Sequence, residues 1–390
     1  MKFLKWFFGL FSKYVNSFER RVDRFFRNIK STDSIGDIRE KLLTLMQENL
    51  LVLNVWMERK YKGYTYLNKK TRRELYKNAE KNVRIFKEFC AKFSPDEKEI
   101  KVLLENVGLT FLPADNEKLK YIFQIMNFLR PELHYHYVES ASFGKLLRDV
   151  EFEKMVGDCN QIVTLYIYFY SLKFPVSDLK IKLLPEHVCL RFNSIDIEAT
   201  NATFQNYKDN TQILPVTEII STNLLDITES EEELYAISSR DVVKSAQLAY
   251  AISSLKSLVE KNLKVAYHNV AVHAMNANDF ETAVFYAEKD GDSKLLAIVY
   301  HNAAVYYMKQ NNFKKAQYCA DRTNDSELKK AVKQADLMRK YNELVKKVQG
   351  VKTLDQAKKY KSTYVQMLSL AREIGDSDLE RSVSETLSKI

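Results

Sequence analysis

The sequence predicts an α+β protein built mostly from helices, and three observations carry that expectation. Only 9 glycines and 6 prolines occur in 390 residues, too few turn formers for a sandwich or barrel of many short strands. Apolar residues recur at helical spacing through most of the chain, whereas a clear two-residue alternation runs from 187 to 200. Residues 267–293 recur without a gap at 300–326, the pattern of a helical array. The length predicts two or three domains, or one domain carrying an array. With 46% hydrophobic and 28% charged residues, a disordered or collagen-like chain is excluded. Four regions follow: an amphipathic basic helix at 1–30, a helical region at 31–119, a mixed core at 120–215 and helical repeats at 236–390.

In the first region Phe3, Phe7, Leu10, Tyr14, Phe18, Val22 and Phe25 recur every three or four residues, while Lys5, Lys13, Asn16, Arg20, Asp23 and Arg27 fall largely opposite. Lysines interrupt the apolar run too early for a bilayer span or a secretory signal. The net charge is +9, and it is concentrated in residues 1–30 and 59–77. An aromatic stripe beside a basic face suits the interface of an anionic membrane; the alternatives are a helix docked on the protein's own core or on a partner. The four cysteines, Cys90, Cys159, Cys189 and Cys319, are too scattered for a disulfide framework or a metal site. A cytoplasmic location, with membrane association through residues 1–30, is expected.

Residues 35–57, 72–91 and 117–129 have helical spacing, and Asp96 is placed to start another helix. Between 59 and 77, Tyr61, Tyr64, Tyr66 and Tyr76 alternate with basic residues. Nucleic-acid grooves have this composition, but an exposed corner with snorkelling lysines has it too, and nucleic acid is not the expected partner. His134 and His136 alternate without further ligands at metal spacing, so neither metal nor cofactor is expected.

Gly157 and Asp158 break the chain before an almost wholly apolar run at 159–172, long enough for a buried helix. Cys159 falls in its first turn, where free N–H groups and the helix dipole favour a thiolate. After it, 187–192 and 195–200 alternate around Asn193-Ser194 and form a hairpin with Val188, Leu190, Phe192, Ile195, Ile197 and Ala199 on one face. Pairing across that turn puts Asp196 opposite Arg191 and Glu198 diagonal to His187. A nucleophile, a base and an orienting acid result: Cys159, His187 and Glu198, with Asp196 as the alternative acid.

Gly157-Asp158-Cys159 opening a helix, His187 opening a strand and Glu198-Ala199-Thr200 closing the next resemble the core of the transglutaminase-like superfamily of papain-fold cysteine hydrolases. Pro185-Glu186-His187-Val188 with Arg191 is similar to the histidine motif of a prokaryotic branch that also carries tetratricopeptide-like repeats. The resemblance implies a Cys159 nucleophile, a His187 base and a Glu198 acid acting on a protein or peptide substrate. Two departures stand out: Glu198 where the family usually has Asp, and Glu186 where it has a small residue.

In the repeats, Tyr267/Tyr300, Ala271/Ala304, Phe280/Phe313, Ala283/Ala316 and Ala287/Ala320 recur at packing positions, close to the tetratricopeptide period. His268 and His301 also recur and are read as packing or groove residues. The expected function is thiol-dependent acyl chemistry on a peptide or amide, the repeats recruiting substrate or a protein partner. The alternative is a catalytically inactive scaffold that binds protein through the repeats.

Overall fold

Short polar side chains set where the helices begin. In the computed structural model, which describes residues 12–30, 32–111, 113–131, 133–139, 142–208, 211–227 and 237–390, Asn16, Ser34, Asn68 and Asp96 turn a side-chain oxygen onto an amide two or three residues ahead. They open α1 (Ser17–Arg27), α2 (Ile35–Met57), α3 (Lys69–Lys92) and α4 (Glu97–Asn106). Each such cap satisfies an amide that has no partner within the helix and is worth about 1 kcal/mol. Helix α5 (Asn116–Phe128) follows. Two compact units result, Met1–Ala266 and Tyr267–Ile390.

The N-terminal stripe is not one unbroken helix. Asn16 is extended (φ −142°, ψ 177°) and caps α1, so Tyr14 and Phe18 do not share a helix. Phe18 and Val22 are buried and Tyr14 packs on Trp56, so this part of the stripe joins the protein's own core; at its end Phe26 is buried, and Phe25, expected in the stripe, is only half-buried. Asp23, expected on the polar face, is fully buried, where Tyr14, Lys13 and Arg27 engage it. The rest of the stripe, Phe3, Phe7 and Leu10, lies outside the described residues. Among the described residues no helix is long and apolar enough to cross a membrane.

Helix α2 changes character at Asn49, whose backbone leaves the helical region (φ −166°, ψ 82°) while its side chain caps the Val52 amide at 3.0 Å. Before it, one face is buried through Ile38, Leu42, Leu45 and Met46. After it, every residue from Leu50 to Met57 is buried. That second half packs on α6 (Cys159–Ser171), the helix expected from the apolar run. Burying a Leu or Ile side chain is worth about 1.5–3 kcal/mol, so this pair holds α6 firmly. Asn223 on α7 (Glu218–Leu225) donates to Asn54 on α2 (3.0 Å) and to Thr164 on α6 (2.8 Å), fixing the three helices in register.

Two sheets complete the first unit. Strands β1 (Tyr135–Tyr137) and β2 (Met155–Gly157) are parallel, with Tyr137 opposite Gly157. Strands β3 (Leu179–Leu184), β4 (His187–Phe192), β5 (Ile195–Glu198), β6 (Thr203–Gln205) and β7 (Gln212–Pro215) form an antiparallel sheet in the order β6-β5-β4-β3-β7. Leu190 pairs with Ile197, Arg191 with Asp196 and Phe192 with Ile195, the register expected from the alternation. The hairpin's second face is covered as well, since Cys189, Asp196 and Glu198 are buried. His134 stacks on Phe128 and its Nδ1 meets the Phe128 carbonyl at 2.7 Å, while His136 is exposed.

The boundary expected at 236 lies further on. Helix α8 (Ser239–Ile252) buries Leu248, Ala249 and Ile252 in the first unit's core, because its apolar face has a partner there. Helix α9 (Lys256–Asn276) carries the chain into the second unit. There α10 (Phe280–Asp290), α11 (Ser293–Lys309), α12 (Phe313–Asp321) and α13 (Ser326–Val348) pack in succession. Ala271, Ala283, Ala287, Ala304, Ala316 and Ala320 are all fully buried, since a methyl is what close helix approach leaves room for. Asn278 and Asn311, one repeat apart, both adopt positive φ (60° and 57°). After the short α14 (Leu354–Lys359), α15 (Lys361–Ile374) and α16 (Ser377–Ser388) share a small core with the end of α13, formed by Tyr341, Leu344, Met367, Ala371 and Val383.

Candidate active site

The turn into α6 is built for a cysteine at its first position. Gly157 ends β2 so close to the new helix that a Cβ there would lie 2.9 Å from Gln161 Cβ. Asp158 is the cap: its carboxylate accepts from the amide of Gln161 at 3.1 Å and from that of Asn160. The helix's first amide, that of Cys159, is left beside the sulfur. Tyr135 holds the turn from behind, donating to the Gly157 carbonyl at 2.8 Å.

His187 opens β4 and stands within hydrogen-bonding reach of the Cys159 thiol. Its Nε2 is 2.7 Å from Glu198 Oε2, leaving Nδ1 as the nitrogen for the thiol. Cys159 and His187 are both half-buried, so both reach solvent. Hydrogen bonds to Cys159 and to Glu198 outweigh desolvation and push the imidazole up to about 10. Burial by itself would raise Glu198, but bonds from His187 and Thr200 hold its carboxyl below the usual range.

Glu198, and not Asp196, is the acid at the imidazole. Asp196 is fully buried, bound by Lys182 Nζ at 2.7 Å, by Arg191 and by the Tyr207 amide at 2.9 Å. Those partners occupy Asp196, and the carboxylate bonded to the histidine is that of Glu198. Glu198 is saturated differently: Oε1 accepts from the Thr200 hydroxyl at 2.7 Å, and Oε2 accepts from the Tyr207 hydroxyl at 3.1 Å besides His187.

Tyr207 escaped sequence reasoning. It lies on an irregular segment after β6, and its amide anchors on Asp196 while its phenol reaches Glu198. Asp226 escaped as well: Gln161 Nε2 donates to it at 3.1 Å. Burial first, then the charge of Asp226, pushes Asp158 up to about 8. No periodicity signals either residue. Among the described residues, one group has metal-ligand proximity, His268 with Asp290 and Asp292 in the second unit, far in sequence from the cysteine.

No protein-family model, curated protein or solved structure matches this chain.

Proposed function

We propose that the protein performs thiol-dependent acyl chemistry on a peptide or amide, as a transglutaminase-like cysteine hydrolase or acyltransferase. The observation that carries this reading is the Glu198–His187 bond of 2.7 Å with the Cys159 thiol, at a helix start, within hydrogen-bonding reach of the same imidazole. In the first step the thiol proton passes to His187, sulfur bonds to the carbonyl carbon and the carbonyl electron pair moves onto oxygen, where the Cys159 amide donates to it. The C–N bond then breaks as His187 passes its proton to the leaving amine. A thioester remains on Cys159. Water, giving its proton to His187, releases an acid; an amine in its place gives a new amide. Glu198 fixes the ring's orientation, and the helical repeats recruit a protein substrate or partner.

The solvent access of Cys159 favours this over an inert scaffold, in which sulfur and ring would be walled apart. Labelling the full chain with an iodoacetamide probe near neutral pH, followed by peptide mapping, tests it. Modification concentrated on Cys159 and lost in His187→Ala is expected. Labelling spread evenly over the four cysteines of the folded protein would return the scaffold reading.

A further inference from the structure

Four of the basic residues of 59–77, Arg59, Lys60, Lys69 and Arg72, are gathered at one place away from the proposed chemistry. A cavity of about 490 Å³ is lined by five cations, Lys13, Arg59, Lys60, Lys69 and Arg72, against a single carboxylate, Asp241. A π-helical turn at Glu58–Lys62 is followed by Gly63 at φ +85°, and Arg59 and Lys60 before that glycine face the same space as Lys69 and Arg72 after it. A side chain at 63 would be strained there and would meet Asp241 at 2.9 Å.

Two of the five cations, Arg72 and Lys13, already have a carboxylate partner. Glu19 neutralises Arg72 at 2.8 Å. Asp23 is shared between Lys13 (3.3 Å) and Arg27 (3.1 Å). Asp241 is engaged by Lys244 at 2.7 Å and by Ser238 at 2.6 Å. Arg59 and Lys60 form no ion pair among the described residues. A second observation points to a missing acceptor: Trp56, 3% exposed, lines the same cavity, and its indole N–H has no hydrogen-bond partner among the described residues. The Arg72 guanidinium lies 5.0 Å from its ring and Lys13 Nζ 5.8 Å. A buried indole N–H ordinarily finds a partner.

We propose that this cavity binds an organic phosphate, either free or as the headgroup of an anionic lipid. Arginine's fork and several ammonium groups suit the many acceptor oxygens of a phosphate. The volume falls in the usual range for small-ligand sites, roughly 300–1,000 Å³, more than a bare inorganic anion fills. Lys13, at its wall, directly follows the Phe-rich residues 1–11 in sequence, a composition suited to a membrane interface.

Titration calorimetry of the full chain with inorganic pyrophosphate at low salt, and co-sedimentation with phosphatidylcholine vesicles with and without a phosphoinositide, test the proposal. Arg59→Glu with Lys60→Glu is the informative variant, since neither residue is buried, and a thermal melt checks that it folds. Binding weaker by at least about tenfold is expected. Trp56→Phe, removing the indole N–H, should weaken it by a smaller factor. Pyrophosphate and phosphoinositide vesicles both bound and both lost in the double variant support the lipid source. Pyrophosphate alone, lost in the same way, supports the free ligand. No binding of either probe, binding undiminished in the folded double variant, or tighter binding of a single-stranded oligonucleotide than of pyrophosphate overturns it.

Discussion

Between Met1 and Ala266 the protein buries Glu19, Asp23, Glu58, Lys62, Arg72, Asp158, Lys182, Asp196, Glu198 and Glu218, each a group that is costly to bury without partners. Between Tyr267 and Ile390, among the described residues, Thr323 is the one buried polar side chain. The first unit therefore depends on hydrogen bonds between residues distant in sequence. The second depends on alanine methyls and aromatic rings meeting at regular intervals. Perturbation should show the contrast: chemistry and pH sensitivity in the first unit, a packing response in the second.

The largest effect expected is on reactivity. Burial pushes the Cys90 thiol up to about 11 and also raises Cys189 and Cys319, so Cys159 should be the first cysteine alkylated. Replacing His187 by Ala should slow turnover on any cleaved amide by about 10²–10⁴-fold, the usual contribution of a general acid–base group. Parallel kinetics on Ala316→Leu should show no comparable loss. If they did, the separation of chemistry from the repeats would fail.

Next is the buried ion cluster. Asp196→Ala leaves Lys182 buried beside Arg191 without its carboxylate, and breaking a buried pair costs about 3–5 kcal/mol, measurable by denaturant unfolding. Ala316→Leu in the second unit should cost less, about 1–3 kcal/mol, through overpacking alone. Equal costs would mean that the repeats are as strictly specified as the sheet.

The pH dependence distinguishes the units further. His187 is raised from 6.5 to about 10 in the folded protein, so its stabilising contribution is complete below 6.5 and is lost as pH rises through about 10. Glu198 is lowered from 4.5, so its contribution is complete above 4.5 and is lost as pH falls through its folded value. The pair should stabilise most between 4.5 and 6.5. In Glu198→Gln the alkaline limb of activity should move to lower pH, and the melting temperature should vary less with pH below 4.5 and between 6.5 and about 10. An unchanged limb would remove Glu198 from its orienting role.

The smallest effect concerns one turn. Glu186, between β3 and β4, adopts φ 55°, a region that strains a residue with a Cβ. Glu186→Gly should stabilise the protein by about 1 kcal/mol, read as a modest rise in melting temperature, and should also widen the approach to His187. Loss of stability would show that the Glu186 side chain makes a contact worth more than the strain.

Much of the fold was legible because it is local. Asp96 and Asn16 cap helices through atoms two or three residues away, and the cap at Asn16 would have shown that the N-terminal stripe is broken. The β4–β5 register followed from alternation around Asn193-Ser194, and with it the preference for Glu198 over Asp196. The basic segment at 59–77 was less legible. Tyr64 and Tyr76 are buried and Tyr61 and Tyr66 half-buried, so the stacking face that a nucleic-acid groove requires is not presented, because these rings fill the first unit's core.

By itself the sequence determined the helix start at Asp96, the hairpin and its register, the 33-residue repeat between Tyr267 and Tyr300, and the candidacy of Cys159, His187 and Glu198. Each follows from covalent spacing and a periodicity that a neighbouring stretch of chain can satisfy. Only the tertiary structure decided that the Cys159 thiol stands within reach of His187, that Tyr207 closes on Glu198, that Asp196 belongs to Lys182 and Arg191, and that Lys13 meets Arg59 and Lys60 at one cavity. These groups are brought together by how buried helices and strands pack, and a side chain's own spacing carries no record of a partner that packing supplies.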